Sequence, residues 1–212
     1  METKELFDRF AIRELLDNWV IWRDSGQWDR LATTFHPAGW MVATWQTAPA
    51  DAFVAGCRLA WDKGVKVLHT LSGSSIDLSG SRAVAQTKMS ILQRALVHDV
   101  WVDVTCRGRF YDFLVKRDDR WAIVLRQPIY EHDRMDLLEV GRPLALDQAR
   151  LGRFPEGYRH LGYVQSLMGF DVRVDLPGVK GPEVEAVYAR GRDWLERAVS
   201  PLPAGSGAVS FQ

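Results

Sequence analysis

The stretch from Lys66 to His132 constrains the fold most. Four segments, near residues 66–78, 82–95, 98–116 and 120–132, are rich in Val, Ile, Thr and aromatic residues and read as strands. Ser79-Gly80-Ser81 and Arg117-Asp118-Asp119-Arg120 are hairpin turns, so the strands they join pair antiparallel. The segment 98–116 alternates strictly. Val100, Val102, Val104, Cys106 and Phe110 fall on one face, with Asp99, Trp101, Asp103, Thr105, Arg107, Arg109 and Tyr111 on the other. One face is therefore covered, and the other carries aromatics and charges of both signs. A bulge at Gly108 would flip the parity and bring Asp112 rather than Tyr111 to the charged side. In the next strand Arg126, Tyr130 and His132 are in phase.

Helical signals flank this block. Phe7, Ala11, Leu15, Trp19 and Trp22 recur at i+3/i+4 spacing, which predicts a long amphipathic helix over 4–24, capped by Thr3 and stopped by Gly26. Trp28 to Phe35 reads as a short second helix, His36-Pro37-Ala38-Gly39 as a break, and Trp40 to Trp45 as a brief strand. A third helix follows Pro49 and runs to about Asp62. Past Asp133, segments 143–150, 156–168 and 182–199 have helical spacing. Helices first and a long-stranded antiparallel sheet after them is an α+β arrangement with helices on one face. Residues 1–135 form the α+β unit, 136–200 a helical extension, and 201–212 a Pro/Gly/Ser-rich tail that reads as flexible.

Composition excludes several functions. The chain has 212 residues with 27 Lys+Arg against 27 Asp+Glu and no dense basic run, which argues against nucleic acid as a partner. Cys57 and Cys106, far apart, offer neither a zinc-type ligand set nor a disulfide framework, and point to a reducing, cytoplasmic setting. The charged N-terminal segment is neither a signal peptide nor a membrane span. Phosphate-binding glycine loops, GxSxG, HExxH and paired-cysteine motifs are all missing, so no cofactor and no metal is expected. Acid–base chemistry remains.

Two residues stand out for it. His69 lies in the apolar stretch Val67-Leu68-His69-Thr70-Leu71, and its ordinary pKa near neutrality suits a general base. Asp24 ends the first helix, where the dipole disfavours a carboxylate. A carboxylate on the second ring nitrogen would fix the tautomer of His69; Asp24 supplies one if the long helix crosses the sheet, which sequence separation neither supports nor forbids.

The order of these segments resembles a known family. The long helix ending in Asp24-Ser25-Gly26-Gln27-Trp28-Asp29-Arg30-Leu31 comes first, followed by Phe35-His36-Pro37 and His69-Thr70-Leu71-Ser72-Gly73. Tyr111-Asp112 on a long strand and Asp119-Arg120-Trp121-Ala122-Ile123 complete the order. Over roughly residues 5–135 the chain resembles SnoaL-like proteins of the nuclear transport factor 2-like superfamily, which includes lyases of the scytalone dehydratase and dehydrochlorinase type. The resemblance implies a cone: a strongly curved antiparallel sheet wrapped around helices, with a deep pocket open at one end. It also implies that Asp24 and His69 form a catalytic dyad. The Tyr common just before that Asp in dehydratases is Trp22 here, so Arg126 or Tyr111 is expected to assist the leaving group.

The function so implied is a cofactor-independent lyase that eliminates water, or an aldehyde such as formaldehyde from a lignin-derived diaryl compound. Nine Trp residues are an excess for this length, and Trp22, Trp40, Trp45 and Trp101 lie in segments that line the pocket in this fold. Flat indoles suit an aromatic or polycyclic substrate. Asp103, Arg107 and Tyr130 complete the expected substrate contacts. An isomerase or cyclase using the same pocket and a non-catalytic binding module are the alternatives, and a homo-oligomer, dimer or trimer, is expected.

Overall fold

The structure, a computed structural model, describes residues 2–139 and 141–203; residues 204–212 of the expected tail lie outside them. Helix α1 (Thr3–Asp24) is followed by α2 (Trp28–Ala32), β1 (Phe35–Val42), β2 (Thr47–Pro49) and α3 (Ala50–Asp62). Four long strands come next: β3 (Lys66–Ser79), β4 (Arg82–Val97), β5 (Val100–Arg117) and β6 (Arg120–Leu137). The chain closes with α4 (Gln148–Leu151), a 3-10 turn (Glu156–Tyr158), α5 (Arg159–Leu167) and α6 (Pro182–Arg197). The expected α+β cone is the observed architecture: a curved six-stranded sheet, ordered β2-β1-β6-β5-β4-β3, with helices packed against it.

Local chemistry explains the long hairpins. His98 and Asp99 (φ 48° and 63°) and Asp118 and Asp119 (φ 47° and 58°) occupy the left-handed region in two-residue turns. Positive φ at both central positions matches the twist of the flanking strands, and short polar residues tolerate it best. The strand expected from residue 98 therefore begins at Val100. The segment His36-Pro37-Ala38-Gly39, expected as a break, is part of β1, irregular in its register with β6 between Phe35 and Trp40. β1 pairs with β6 in parallel, so the sheet is mixed rather than wholly antiparallel. Thr3 is the first helical residue of α1 rather than its cap.

The parity of β5 does not flip at Gly108. The register breaks there, but the extra residue is Glu131 of β6: Arg107 faces His132 while Gly108 faces Tyr130. Even positions of β5 stay inward through Phe110, Asp112 and Leu114, and beyond the bulge His132 leaves the phase of Tyr130 and is exposed.

β3 is an edge strand, and α1 covers it with side chains. Arg9 donates to the Ile76 carbonyl, Arg13 to that of Ser72, and Asp24 accepts from the His69 N–H. An open edge invites pairing with other chains; here helix side chains occupy its backbone groups.

The extension adds to the core. Phe154, Tyr158, Leu161, Tyr163, Val187 and Trp194 belong to one buried cluster with the sheet residues. α6 packs on the odd face of β5, where Tyr111 meets Tyr188 at 5.6 Å between ring centroids. Gly191 permits that approach, since a Cβ there would lie 1.9 Å from Tyr111 Oη. Gly191→Ala is expected to cost about 1–3 kcal/mol through overpacking, outweighing the gain of about 1 kcal/mol in helix propensity. Tyr111→Phe in the same chain should recover part of it. Urea unfolding checks this, and a neutral Gly191→Ala would remove the packing argument. No helix among the described residues is long and apolar enough to cross a membrane.

Candidate active site

α1 ends where Gly26 takes φ 73° and the Gln27 N–H returns to the Trp22 carbonyl, so the last turn is fixed in place. That turn lies beside the start of β3. Asp24 Oδ1 is 2.8 Å from His69 Nδ1, and Asp24 Oδ2 accepts from the His69 backbone N–H at 2.5 Å. One carboxylate thus holds both the ring and the backbone of the same histidine. An ionised carboxylate only accepts, so Nδ1 carries the proton and Nε2 keeps the lone pair.

Burial holds His69 below the usual imidazole range; the hydrogen bond and charge of Asp24 oppose that shift, while Arg23 and Arg126 reinforce it. The ring is therefore neutral, and basic, at neutral pH. It stands edge-on to Trp19 at 5.6 Å.

His69 lines a small, partly open cavity of about 60 Å³. Its walls come from the end of α1 (Trp19, Arg23), the inner face of the sheet (Ile91, Phe110, Tyr130), α3 (Phe53) and α5 (Leu161, Gln165). Trp45 also lines it, stacked on Phe53 and touching Phe170. Burial pushes the Tyr130 hydroxyl well above the usual phenol range, and it hydrogen-bonds to Thr44. Tyr130 therefore stays protonated.

Arg126 is fully buried behind this wall. Its Nε and Nη2 reach Asp112 at 2.7 and 3.0 Å, and its guanidinium carbon lies 4.3 Å from both the Trp19 and Phe110 ring centres. Nη1 is buried with no hydrogen-bond partner among the described residues.

The structure places the other expected site residues elsewhere. Tyr111 is on the opposite face of β5 under α6, so it cannot reach the His69 cavity. Trp22 lies under Arg30 (4.4 Å from its ring centre) and lines a separate cleft beside Trp121. Trp40 precedes the inward-facing Met41 and so points to the other face of β1. Trp101 is 43% exposed, Asp103 pairs with Arg94 at 2.7 Å, and Arg107 is exposed, all on the odd face of β5. The indole excess does not converge on one cavity, and the argument for an aromatic substrate loses three of its four residues.

Sequence reasoning missed Arg23, Gln93 and Gln165, and brought Asp112 forward only through a parity flip at Gly108 that does not occur. Two carried a signal: Gln93 interrupts the inward row Ala85, Thr87, Met89, Ile91, Ala95, Val97 of β4, and Asp112 interrupts the inward row of β5 between Phe110 and Leu114. A polar side chain on an apolar face needs a partner, and that need marks it.

The model of the SnoaL-like domain matches residues 4–127. The chain belongs to the SnoaL-like family. Among SnoaL-like relatives, a PEP2-like protein of Fusarium vanettenii is 35% identical over 202 residues, spanning 90% of this chain and 87% of its own. A putative scytalone dehydratase from Novosphingobium aromaticivorans shares the fold with a TM-score of 0.56 and 19% identity, covering 68% of this chain and all of its own. A hexachlorocyclohexane dehydrochlorinase does so with a TM-score of 0.54 and 14% identity, covering 68% and 97%. The SnoaL-like match ends at Gln127, so Gln165 and the α5 wall lie beyond it. No group of three or more His, Cys, Asp or Glu suited to a metal ion occurs among the described residues.

Proposed function

We propose that the protein is a cofactor-independent lyase in which His69 is the base and Asp24 orients it. The observation that carries this reading is the 2.8 Å contact between Asp24 and the His69 ring at the wall of a small cavity. Family membership and the dehydratase and dehydrochlorinase among its structural neighbours support the same chemistry.

The steps balance on one base. Nε2 takes a proton from a substrate C–H; the electron pair forms a C=C bond as the bond to the hydroxyl breaks; the imidazolium returns the proton to the departing oxygen, and water leaves. Asp24 stabilises the imidazolium between the two transfers. Tyr130 donates a hydrogen bond to substrate oxygen, and Arg126 adds positive charge from behind Trp19 and Phe110. Abstraction of a hydroxyl proton instead would form a C=O bond as the adjacent C–C bond breaks; its electron pair passes to a neighbouring carbonyl as an enolate, the imidazolium returns the proton to that carbon, and an aldehyde leaves. The cavity holds well under half the volume of about 150 Å³ that accepts benzene, so a compact substrate fits it better than a diaryl or polycyclic one.

A small β-hydroxy ketone, 4-hydroxybutan-2-one, tests the reading in D2O by proton NMR. The protein should accelerate its conversion to butenone. Deuterium at C3 without loss of water would reassign the same site to proton transfer of the isomerase kind. Absence of both signals, or equal signals from His69→Ala, would overturn the dyad.

A further inference from the structure

The roof of the cavity contains two buried carboxamides whose hydrogen-bonding capacity is only partly used. Gln93 of β4 is 2% exposed and Gln165 of α5 is 7% exposed, and both line the cavity that holds His69. The Gln165 oxygen accepts from Thr44 Oγ1 at 2.6 Å, and its Nε2 donates to the Gln93 oxygen at 3.3 Å. Gln93 Nε2 donates to the sulfur of Met168 at 3.2 Å. Both oxygens are thus satisfied from within. Each carboxamide has two N–H donors; of the four, one meets an oxygen and one a thioether, a weak acceptor, among the described residues. Buried donors are ordinarily paired, so this roof is built to receive an acceptor atom.

The surroundings say which acceptor. Trp19, Phe53, Ile91, Phe110 and Leu161 give the cavity apolar walls, and its only cationic lining residue among the described residues, Arg23, sits beside Asp24 at 3.3 Å. Uncharged N–H groups in such a setting suit a neutral carbonyl oxygen, and they strengthen as that oxygen gains negative charge in an enolate. The volume, about 60 Å³, fits a skeleton of a few carbons that touches the roof and His69 together.

We infer that Gln93 and Gln165 form the carbonyl-oxygen receptor of the site, so that the substrate is a small ketone or aldehyde and the C-terminal extension supplies a specificity-determining residue. This rests on the acid–base reading of His69 for its chemistry, but not for its binding.

Three probes of similar size separate the alternatives: acetone, its shape-matched hydrocarbon 2-methylpropene, and acetate. In titrations of the full chain followed by 15N–1H NMR, acetone should shift the Gln93 and Gln165 side-chain amide signals. Gln93→Met and Gln165→Met keep side-chain length and remove the N–H donors. Each should weaken acetone at least tenfold while leaving 2-methylpropene binding no weaker. The infrared carbonyl band of bound acetone should lie below its position in an apolar solvent, a readout that needs no variant. Failure of acetone to bind, equal binding of 2-methylpropene, preference for acetate, or a carbonyl band at the apolar-solvent position would each overturn the inference.

The two readings fail separately. If the glutamine variants leave acetone binding unchanged while the wild type dehydrates 4-hydroxybutan-2-one, the receptor falls and the dyad stands. Acetone selectivity that follows the glutamines without any proton transfer gives the reverse.

Discussion

Turnover is expected to fall about 100- to 10,000-fold when His69 is replaced by Ala, the range that a positioned base contributes. Asp24→Asn is expected to lose a comparable factor for a different reason. The Asn oxygen can still accept from the His69 backbone N–H, but its amide donates to Nδ1, which moves the ring proton to Nε2 and leaves no lone pair for substrate. The pH profile separates this from simple misfolding. Burial lowers the His69 pKa, so the acidic limb of kcat/KM should lie below about 6.5, the ordinary imidazole value. Asp24 raises that pKa against the burial, so the residual activity of Asp24→Asn should show a limb displaced further down. The same shift links to stability: just below pH 6.5 the unfolded chain binds a proton at His69 that the folded chain refuses. Stability therefore rises with pH from the folded pKa to about 6.5. A wild-type limb at or above 6.5, or full activity in either variant, contradicts the assignment.

Arg126→Met should lower the free energy of unfolding by about 3–5 kcal/mol, the cost of leaving one partner of a buried ion pair alone. Asp112 and Arg126 are both 0% exposed and share two hydrogen bonds. Removing the guanidinium strands a carboxylate and also empties the space between Trp19 and Phe110. A cation held between desolvated aromatic faces adds about 2 kcal/mol or more in its own right. Asp112→Leu together with Arg126→Met removes the unpaired charge and should recover much of the loss. A double-mutant cycle in urea measures the coupling. If the single Met variant cost less than about 1 kcal/mol, the pair would not be holding the cavity wall.

The parts of the fold that local chemistry dictates were legible in the sequence. The periodicity of α1, its stop at Gly26 and the turn at Asp118-Asp119 follow from neighbouring residues alone. The order of short motifs placed Asp24 and His69 at the two positions that the structure brings together. The rest depended on which face of the sheet closes the cavity. Aromatic and charged odd positions of β5 looked more suited to chemistry than the row of valines opposite. Yet the inward face is the apolar one, interrupted by Asp112 between Phe110 and Leu114, and Trp101, Asp103, Arg107 and Tyr111 turn away from it. The extra residue Glu131 was equally invisible, because an inserted residue shows only against a paired strand. Gln165 is brought to the cavity by contacts between α5 and the sheet that no local pattern encodes.

The side chains of α1 that cover β3 tie two kinds of failure together. The same helix that orients the base also masks an adhesive strand through Arg9, Arg13 and Asp24. Detachment of α1 on heating would therefore release the histidine and expose the β3 edge from His69 to Ile76 at one stroke. Loss of the Asp24–His69 contact and edge-to-edge aggregation would then share one cause, and the hold of one helix on β3 would govern both.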